Sequence, residues 1–595
     1  MNGTVVAILH QPIDANMQDS SQPPTDRDPN TPTSEALNVS RRRLLGGALG
    51  APLVGAATLS GCASAGTGSG ATRPAPLDLD AALRDQVKTI VVIYGENRSF
   101  NNLFADFPGL ARPLAQLRPA DYQQRDRDGS VLPRLPSVPG GWLKEAQTSN
   151  GLPYPAGTQY QTNLPNAPFR LRGPGGENLP LGLVTRDLWH VFYQNQMQIN
   201  EGRNDRFVAW ADSGAFTMGC YANTSYALRL WSIAREFVLC DNFFQGAFGG
   251  SFLNHLYLVS ATAPRYPNAD TSIAAGLIAT TVSGAPDDTR LKPLPTSPAS
   301  ALDGVPAFGP SALTPTETRP DGTRLSYGVN TMAPPYAPTW TNLAMDATGQ
   351  VVDFTKPANA SALPPQVHEH IGDKLDARGV EWAWYAGAYQ QTLAQHGANI
   401  ANGTPVVPNF QYHHQPFNYF RNLAPGTAAR ERRLRDGGLG DDESSNKFIA
   451  DAKAGRLPAV TFYKPQGNLN LHAGYADVAS GDQHIAHIVS VLRASPQWEN
   501  MVVVITFDEN GGWWDHVAPP KGDRWGPGSR IPALVVSPFA RKGHVDHTPF
   551  DKASILRLIT RTFALEPLAG LQERDQAMAA RGQAPLGDLT HALEL

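Results

Sequence analysis

The sequence predicts an α/β fold: a mostly parallel sheet flanked by helices, carrying a large loop-rich insertion. Three observations predict it. Apolar, β-branched runs of strand length recur, each closed by turn residues. Amphipathic stretches of helical period lie between them. A segment rich in Pro, Thr, Ala and Ser, residues 262–366, interrupts that rhythm, and its length without periodicity marks an insertion or small subdomain.

The first strand is "VKTIVVIY" (87–94), ended by Gly95, which is expected to be the hinge where the chain leaves the sheet. Asn97 or Ser99 then caps a short helix near "FNNLF". Residues 105–180 are rich in Pro, Gly and Arg and read as loops. Helices follow at 185–199, 226–238 and 250–261, where Leu228, Trp231, Ile233, Ala234 and Phe237 of the second share one face. Beyond the insertion the alternation resumes, with helices at 370–379, 442–454, 482–495 and 551–563. Between them stand the strands "EWAWYA" (381–386), "AVTFYK" (459–464), "MVVVITFD" (501–508) and "RIPALVVSP" (530–538).

The 595 residues are 17% charged with a net charge of −4 and no basic block in the body of the chain, so nucleic acid is not the expected ligand. Of the three cysteines, Cys220 and Cys240 leave two readings open, a disulfide or two buried thiols. Cys62 belongs to the N-terminus. There "SRRRLLG" (40–46) begins a Gly/Ala-rich apolar stretch that ends in "LSGC" (59–62), a pattern similar to a twin-arginine export signal joined to a lipobox. The expectation is a periplasmic or secreted protein, or one tethered to a membrane through a lipid on Cys62. The expected organisation is a disordered start plus signal over 1–62, a linker over 63–85, a single main domain over 86–570 and a C-terminal tail over 571–595.

Chemistry gathers at the strand ends. In open α/β sheets ligands sit at the carboxyl ends of the strands. Glu96 and Asn97 follow one apolar strand, and Asp508 and Glu509 follow another. If those strands are neighbours, three carboxylates converge, and they repel unless a cation neutralises them. One divalent metal with oxygen ligands is the expected cofactor. In "QGAFGGSFLNHLY" (245–257), Gly249 and Gly250 precede Ser251 at a helix N-terminus, where positive potential favours an anion such as phosphate. Asn254 and His255, one turn on, are assigned to binding the substrate. Histidines number 15, and His190, His413, His414, His472 and His516 fall in polar or aromatic loops near these segments. Imidazoles around a metal and a hydroxyl suit phosphoryl transfer, because they stabilise oxygen charge and protonate a leaving oxygen.

The ordered set "ENRSF…FPG", "FGGSFLNH", "YHHQPF", "LHAGYADVASGD" and "TFDENGGWWDHVAPP" resembles the bacterial phosphoesterase family of phospholipases C and acid phosphatases, over about residues 86–565. The Gly-Gly-Ser turn is more similar to the acid phosphatase branch. The resemblance implies an alkaline-phosphatase-like fold and one metal held by Glu96, Asn97, Asp508, Glu509 and Ser251. It also implies Ser251 as the nucleophile that becomes phosphorylated, and His190, His413, His414 and His472 as charge stabilisers or general acids. The implied activity is hydrolysis of a phosphate monoester through phosphoserine. The alternatives are a phospholipase C, or a surface lipoprotein that only binds; the complete set of polar positions argues against the last. One departure is Asn101, where the family's first motif usually ends in Asp.

Overall fold

The computed structural model describes residues 78–221, 225–278, 293–308, 317–318, 321–336, 342–348, 350–394 and 410–595. The expected export signal, Cys62 and most of the expected linker lie outside the described residues.

One eight-stranded sheet organises the chain. Its strands are β1 (Thr89–Gly95), β2 (Val238–Cys240), β3 (Trp382–Gly387), β4 (Leu434–Gly438), β5 (Val460–Lys464), β6 (Met501–Phe507), β7 (Ala533–Val536) and β8 (His544–Asp546). The order across the sheet is β4-β3-β5-β1-β6-β7-β2-β8. Neighbours run parallel except β7, which is antiparallel to both β6 and β2. All seven residues of β1 and of β6 are buried, whichever way they point, so the sheet is covered on both faces. The expected α/β architecture is the one observed.

The helices used below are α1 (Leu79–Gln86), α2 (Phe100–Phe104), α3 (Phe192–Ile199), α4 (Arg229–Glu236), α5 (Ser251–Ser260), α6 (Lys447–Lys453), α7 (Val478–Arg493), α8 (Lys552–Thr562) and α9 (Ala569–Ala579). They pack in two groups, α7 with α4 and α6, and α8 with α5 and α1. Ser99 caps α2, its hydroxyl accepting the Asn102 amide at 3.2 Å. The described part of 262–366 includes a small antiparallel sheet of Arg265–Pro267, Arg324–Tyr327 and Glu317–Thr318.

Several boundaries differ from expectation. The stretch 226–238 is helical only to Glu236, because Val238 is drawn into β2 beside β7 and β8. The helix expected over 185–199 begins at Phe192, which leaves His190 in the loop before it. Residues of the expected linker form α1, capped by Asp78. The expected tail is packed: α9 buries Arg574 completely, with Arg574 Nη1 donating to Asp551 at 2.6 Å and Nε to Asp523 at 2.7 Å. Cys220 and Cys240 are two buried thiols with no disulfide between them.

Candidate active site

Register brings the two acidic strand ends together. β1 and β6 pair with Tyr94 opposite Thr506 and Gly95 opposite Phe507, so Glu96 and Asp508 leave the sheet side by side. The chain turns at Asn97, whose φ of 57° is left-handed, and Gly95 remains an ordinary strand residue rather than the expected hinge. Asparagine tolerates this region better than most residues, and its occupancy at a polar cluster is strain held by the surroundings. Gly511 packs under that turn: a Cβ there would lie 2.3 Å from the Asn97 carbonyl oxygen.

The carboxylates are fixed on one oxygen and open on the other. Asp508 Oδ1 accepts the backbone amides of Asn97 at 2.9 Å and Glu509 at 2.8 Å. Glu509 Oε2 accepts the Gly511 amide at 2.5 Å, and Glu96 Oε2 accepts the Tyr475 hydroxyl at 3.2 Å. Asp508 Oδ2, Glu509 Oε1 and Glu96 Oε1 are buried without a hydrogen bond. Around them stand Lys464 Nζ, 2.5 Å from Glu96 Oε1, and His414 Nε2, 2.7 Å from it. Both are ion-pair distances, yet neither contact is aligned as a hydrogen bond.

Burial pushes the Asp508 and Glu509 carboxyls up, and the neighbouring carboxylates Glu96 and Asp508, respectively, push in the same direction. For Glu96 burial also raises, but Lys464 and His414 outweigh it and hold the carboxyl well below its usual range. Asp508 Oδ2 and Glu509 Oε1 are the carboxylate oxygens left without a close cationic partner, and a hard divalent cation would satisfy such lone pairs. Glu96, His255 and Asp508 also offer ligand atoms within 4.8 Å of one another, as do Glu96, His413 and His414.

Ser251 opens α5 beside this cluster. Its turn needs glycine, since Gly249 has a φ of 85° and a Cβ there would stand 2.4 Å from the Phe192 amide nitrogen. Ser251 Oγ donates to Asn97 Oδ1 at 3.4 Å. It lies on a cavity of about 280 Å³ whose walls include His190, His413, His472, Asp187 and Lys144. The insertion contributes Val329, Asn330 and Thr331 to the same walls.

The histidines divide by position. His190 Nε2 is 3.4 Å from Asn97 Nδ2 and 3.9 Å from Glu509 Oε1. Burial pulls its pKa down, but Glu509 and Asp187 overcome this and raise it to about 9, so the ring is cationic at neutral pH. His472 Nε2 is 3.6 Å from Glu96 Oε2. His414 has no solvent exposure and is lowered to about 4 by burial, with the Glu96 carboxylate opposing. His413 touches the cavity with neither ring nitrogen hydrogen-bonded, and burial lowers it well below the ordinary range.

Two residues expected at the substrate lie elsewhere. Asn254 spends its amide on the turn, donating to Ala247 O at 3.0 Å and Gly250 O at 3.1 Å while Oδ1 accepts Lys552 Nζ at 2.9 Å. His255 has no solvent exposure and stands under the carboxylates, Nε2 4.0 Å from Glu96 Oε1. The other buried cations went unforeseen. Lys464 ends β5, and Lys552 opens α8 with its amine lowered to about 7, chiefly by burial. Asn101 lies in a separate buried network, its Oδ1 accepting Arg530 Nη2 at 3.3 Å and its backbone amide donating to Asp515 at 3.0 Å.

A carboxylate nest, a serine at a helix start and the His190 imidazole thus lie together at the carboxyl ends of the central strands β1 and β6. Residues 87–566 match the model of the Phosphoesterase family, and the chain belongs to that family. Among curated relatives, non-specific phospholipase C1 of Arabidopsis thaliana is 33% identical over 153 residues, 20% of this chain and 28% of that protein. Non-hemolytic phospholipase C of Burkholderia pseudomallei is 27% identical over 230 residues, 33% of this chain and 30% of that protein. The matched stretches thus span under a third of either relative. A solved phosphonate monoester hydrolase from Silicibacter pomeroyi overlaps 60% of this chain and 72% of its own at 14% identity, with a TM-score of 0.20.

Proposed function

We propose that the protein hydrolyses phosphate monoesters through a phosphoserine at Ser251, with one divalent cation held by Glu96, Asn97, Asp508 and Glu509 beside Ser251. The observation that carries this is Ser251 Oγ, at the start of a ten-residue helix and on the wall of a small cavity, donating to Oδ1 of Asn97, the residue whose backbone amide is bound by Asp508. A divalent cation bound there would polarise a phosphoryl oxygen and lower the serine hydroxyl's pKa.

The chain's own groups do the rest. The α5 N-terminus and the His190 imidazolium attract the phosphoryl oxygens. Ser251 Oγ attacks phosphorus and gives its proton to an imidazole of the cavity wall, the bond from phosphorus to the ester oxygen breaks, and the imidazole hands the proton to that departing oxygen. Water then attacks the serine-bound phosphoryl group, which restores the hydroxyl and releases inorganic phosphate. Lys464 and His414 lie behind this, beside Glu96, and set charge rather than touch the ester.

A second reading is a phospholipase C, using the same nucleophile on a phosphodiester. It is favoured by the phospholipase names of the relatives and by the insertion's share of the cavity wall. The test compares p-nitrophenyl phosphate, bis-p-nitrophenyl phosphate and phosphatidylcholine, with and without chelator. Preference for the monoester, lost on chelation, is expected. Preference for phosphatidylcholine selects the second reading, and inertness toward all three overturns both.

Export rests on residues 40–62 alone. We propose that the paired arginines direct the folded protein out of the cytoplasm and that Cys62 carries the tether. Fractionation of wild type and Cys62→Ser checks this: the variant is expected in the soluble exported fraction, and equal membrane retention would remove the tether.

A further inference from the structure

A second cluster of metal-ligating side chains lies at the other edge of the sheet. β8 carries His544 and Asp546, and His591 reaches them from the 3-10 turn Thr590–Ala592 in the last residues of the chain. One ring nitrogen of each histidine and one Asp546 oxygen all fall within 4.8 Å of one another. His591 Nδ1 is 3.1 Å from Asp546 Oδ2, close to the edge of about 3.3 Å spanned by two ligands of a tetrahedral ion with bonds of about 2.0–2.1 Å. His544 Nε2 is buried and has no hydrogen-bond partner. The adjacent His547 takes no part, its Nδ1 being held by Asp241 at 2.9 Å. His544 and Asp546 lie within the 87–566 stretch that matches the family, and His591 lies beyond it.

We propose that His544, Asp546 and His591 form a second metal site, for zinc or another imidazole-loving first-row ion, separate from the carboxylate nest. Two imidazoles and one carboxylate are the donor set of such ions, whereas calcium and magnesium take oxygen. Asp546 is held ready, Oδ1 accepting the Thr548 amide at 2.9 Å while Oδ2 faces the histidines. The consequence is mechanical. The segment around His591 is tied to the body by the Ala540–Leu593 bridge, with Glu594 N donating to Phe539 O at 2.7 Å and Arg541 N donating to Ala592 O at 3.1 Å. An ion here would clip that segment to the edge strand β8.

The test uses the full chain carrying Asp508→Asn, so that metal in the carboxylate nest does not mask the signal. This protein and the same protein with His591→Gln are stripped with chelator, equilibrated with zinc and freed of unbound ion. Bound zinc is counted by mass spectrometry and melting is followed with and without zinc. Loss of one zinc equivalent per chain in the His591→Gln protein is expected, with loss of the zinc-dependent rise in melting midpoint. Equal zinc content and equal zinc response in the two proteins would overturn the site. His591 is exposed, so its variant folds; His544→Gln provides the second measurement, with the same loss expected. Calcium in place of zinc is expected to leave the pair indistinguishable, and a calcium-dependent difference would overturn the choice of ion.

Discussion

Asp508 Oδ1 accepts the backbone amide of Asn97 at 2.9 Å, a bond between residues 411 positions apart in the chain. It locks the left-handed turn after β1 to the end of β6, and it leaves Asp508 Oδ2 buried without a hydrogen bond, in a group with Glu96 and His255. One carboxylate therefore shapes the turn with one oxygen and offers a ligand with the other.

Asp508→Asn separates those two roles. The amide oxygen keeps the bond to Asn97, so the fold is expected to survive, while the anionic ligand is gone. Hydrolysis is expected to fall by about 10²–10³-fold, as for loss of a strong electrostatic contact at a reacting centre. Bound divalent metal, measured by elemental analysis, should fall with it; full activity with full metal content would remove Asp508 from the site.

Ser251→Ala should abolish turnover. Loss of a nucleophile costs many orders of magnitude, about 10⁶ where it has been measured in a hydrolase triad. The hydroxyl's contact with Asn97 is long, at 3.4 Å, so unfolding stability should change by no more than about 1 kcal/mol. Ordinary activity in a well-folded variant would exclude Ser251 as nucleophile.

The apolar runs before Glu96 and Asp508 made the centre of the fold readable, because two strands buried on both faces belong in the middle of a parallel sheet and so end at a common edge. Ser251 was legible through its two glycines, one of which takes a positive φ. Lys464 and Lys552 were not. A lysine ending a strand or opening a helix is ordinarily solvated, and only contacts with distant residues such as Glu96 and Asn254 bury these two. The spent amide of Asn254 was hidden for the same reason, since its partners are backbone atoms of a turn. β4 and β8 carry too few apolar residues to stand out, in "LRDGG" and "HVD".

Lys464→Met tests how charge is balanced in the nest. The ammonium sits 2.5 Å from Glu96 Oε1, and neither residue is exposed. Its removal leaves a buried carboxylate uncompensated, and the metal-free variant is expected to lose about 3–5 kcal/mol of stability. A divalent cation should restore part of that loss, since it supplies the missing positive charge. Chemical denaturation with and without the cation measures both; a variant as stable as wild type in chelator would show that Lys464 does not offset Glu96.

Acid sensitivity should have an identifiable contributor in His516. Its ring is buried between Asn101 and the Arg112 carbonyl, with Nδ1 3.0 Å from Asn101 Oδ1 and Nε2 2.9 Å from Arg112 O. Burial, then the nearby Arg530 and Arg112 guanidinium groups, lowers its pKa to about 2. In the unfolded chain the ring binds a proton as the pH falls through about 6.5, while the folded protein binds it only near 2. Between those values the unfolded state holds more protons, so stability falls as the pH is lowered, by about 2 kcal/mol from this residue at pH 5. His516→Asn removes the titrating group, and its unfolding free energy should decline less steeply between pH 7 and about 5 than that of wild type. Parallel declines in the two proteins would show that His516 titrates alike in the folded and unfolded states.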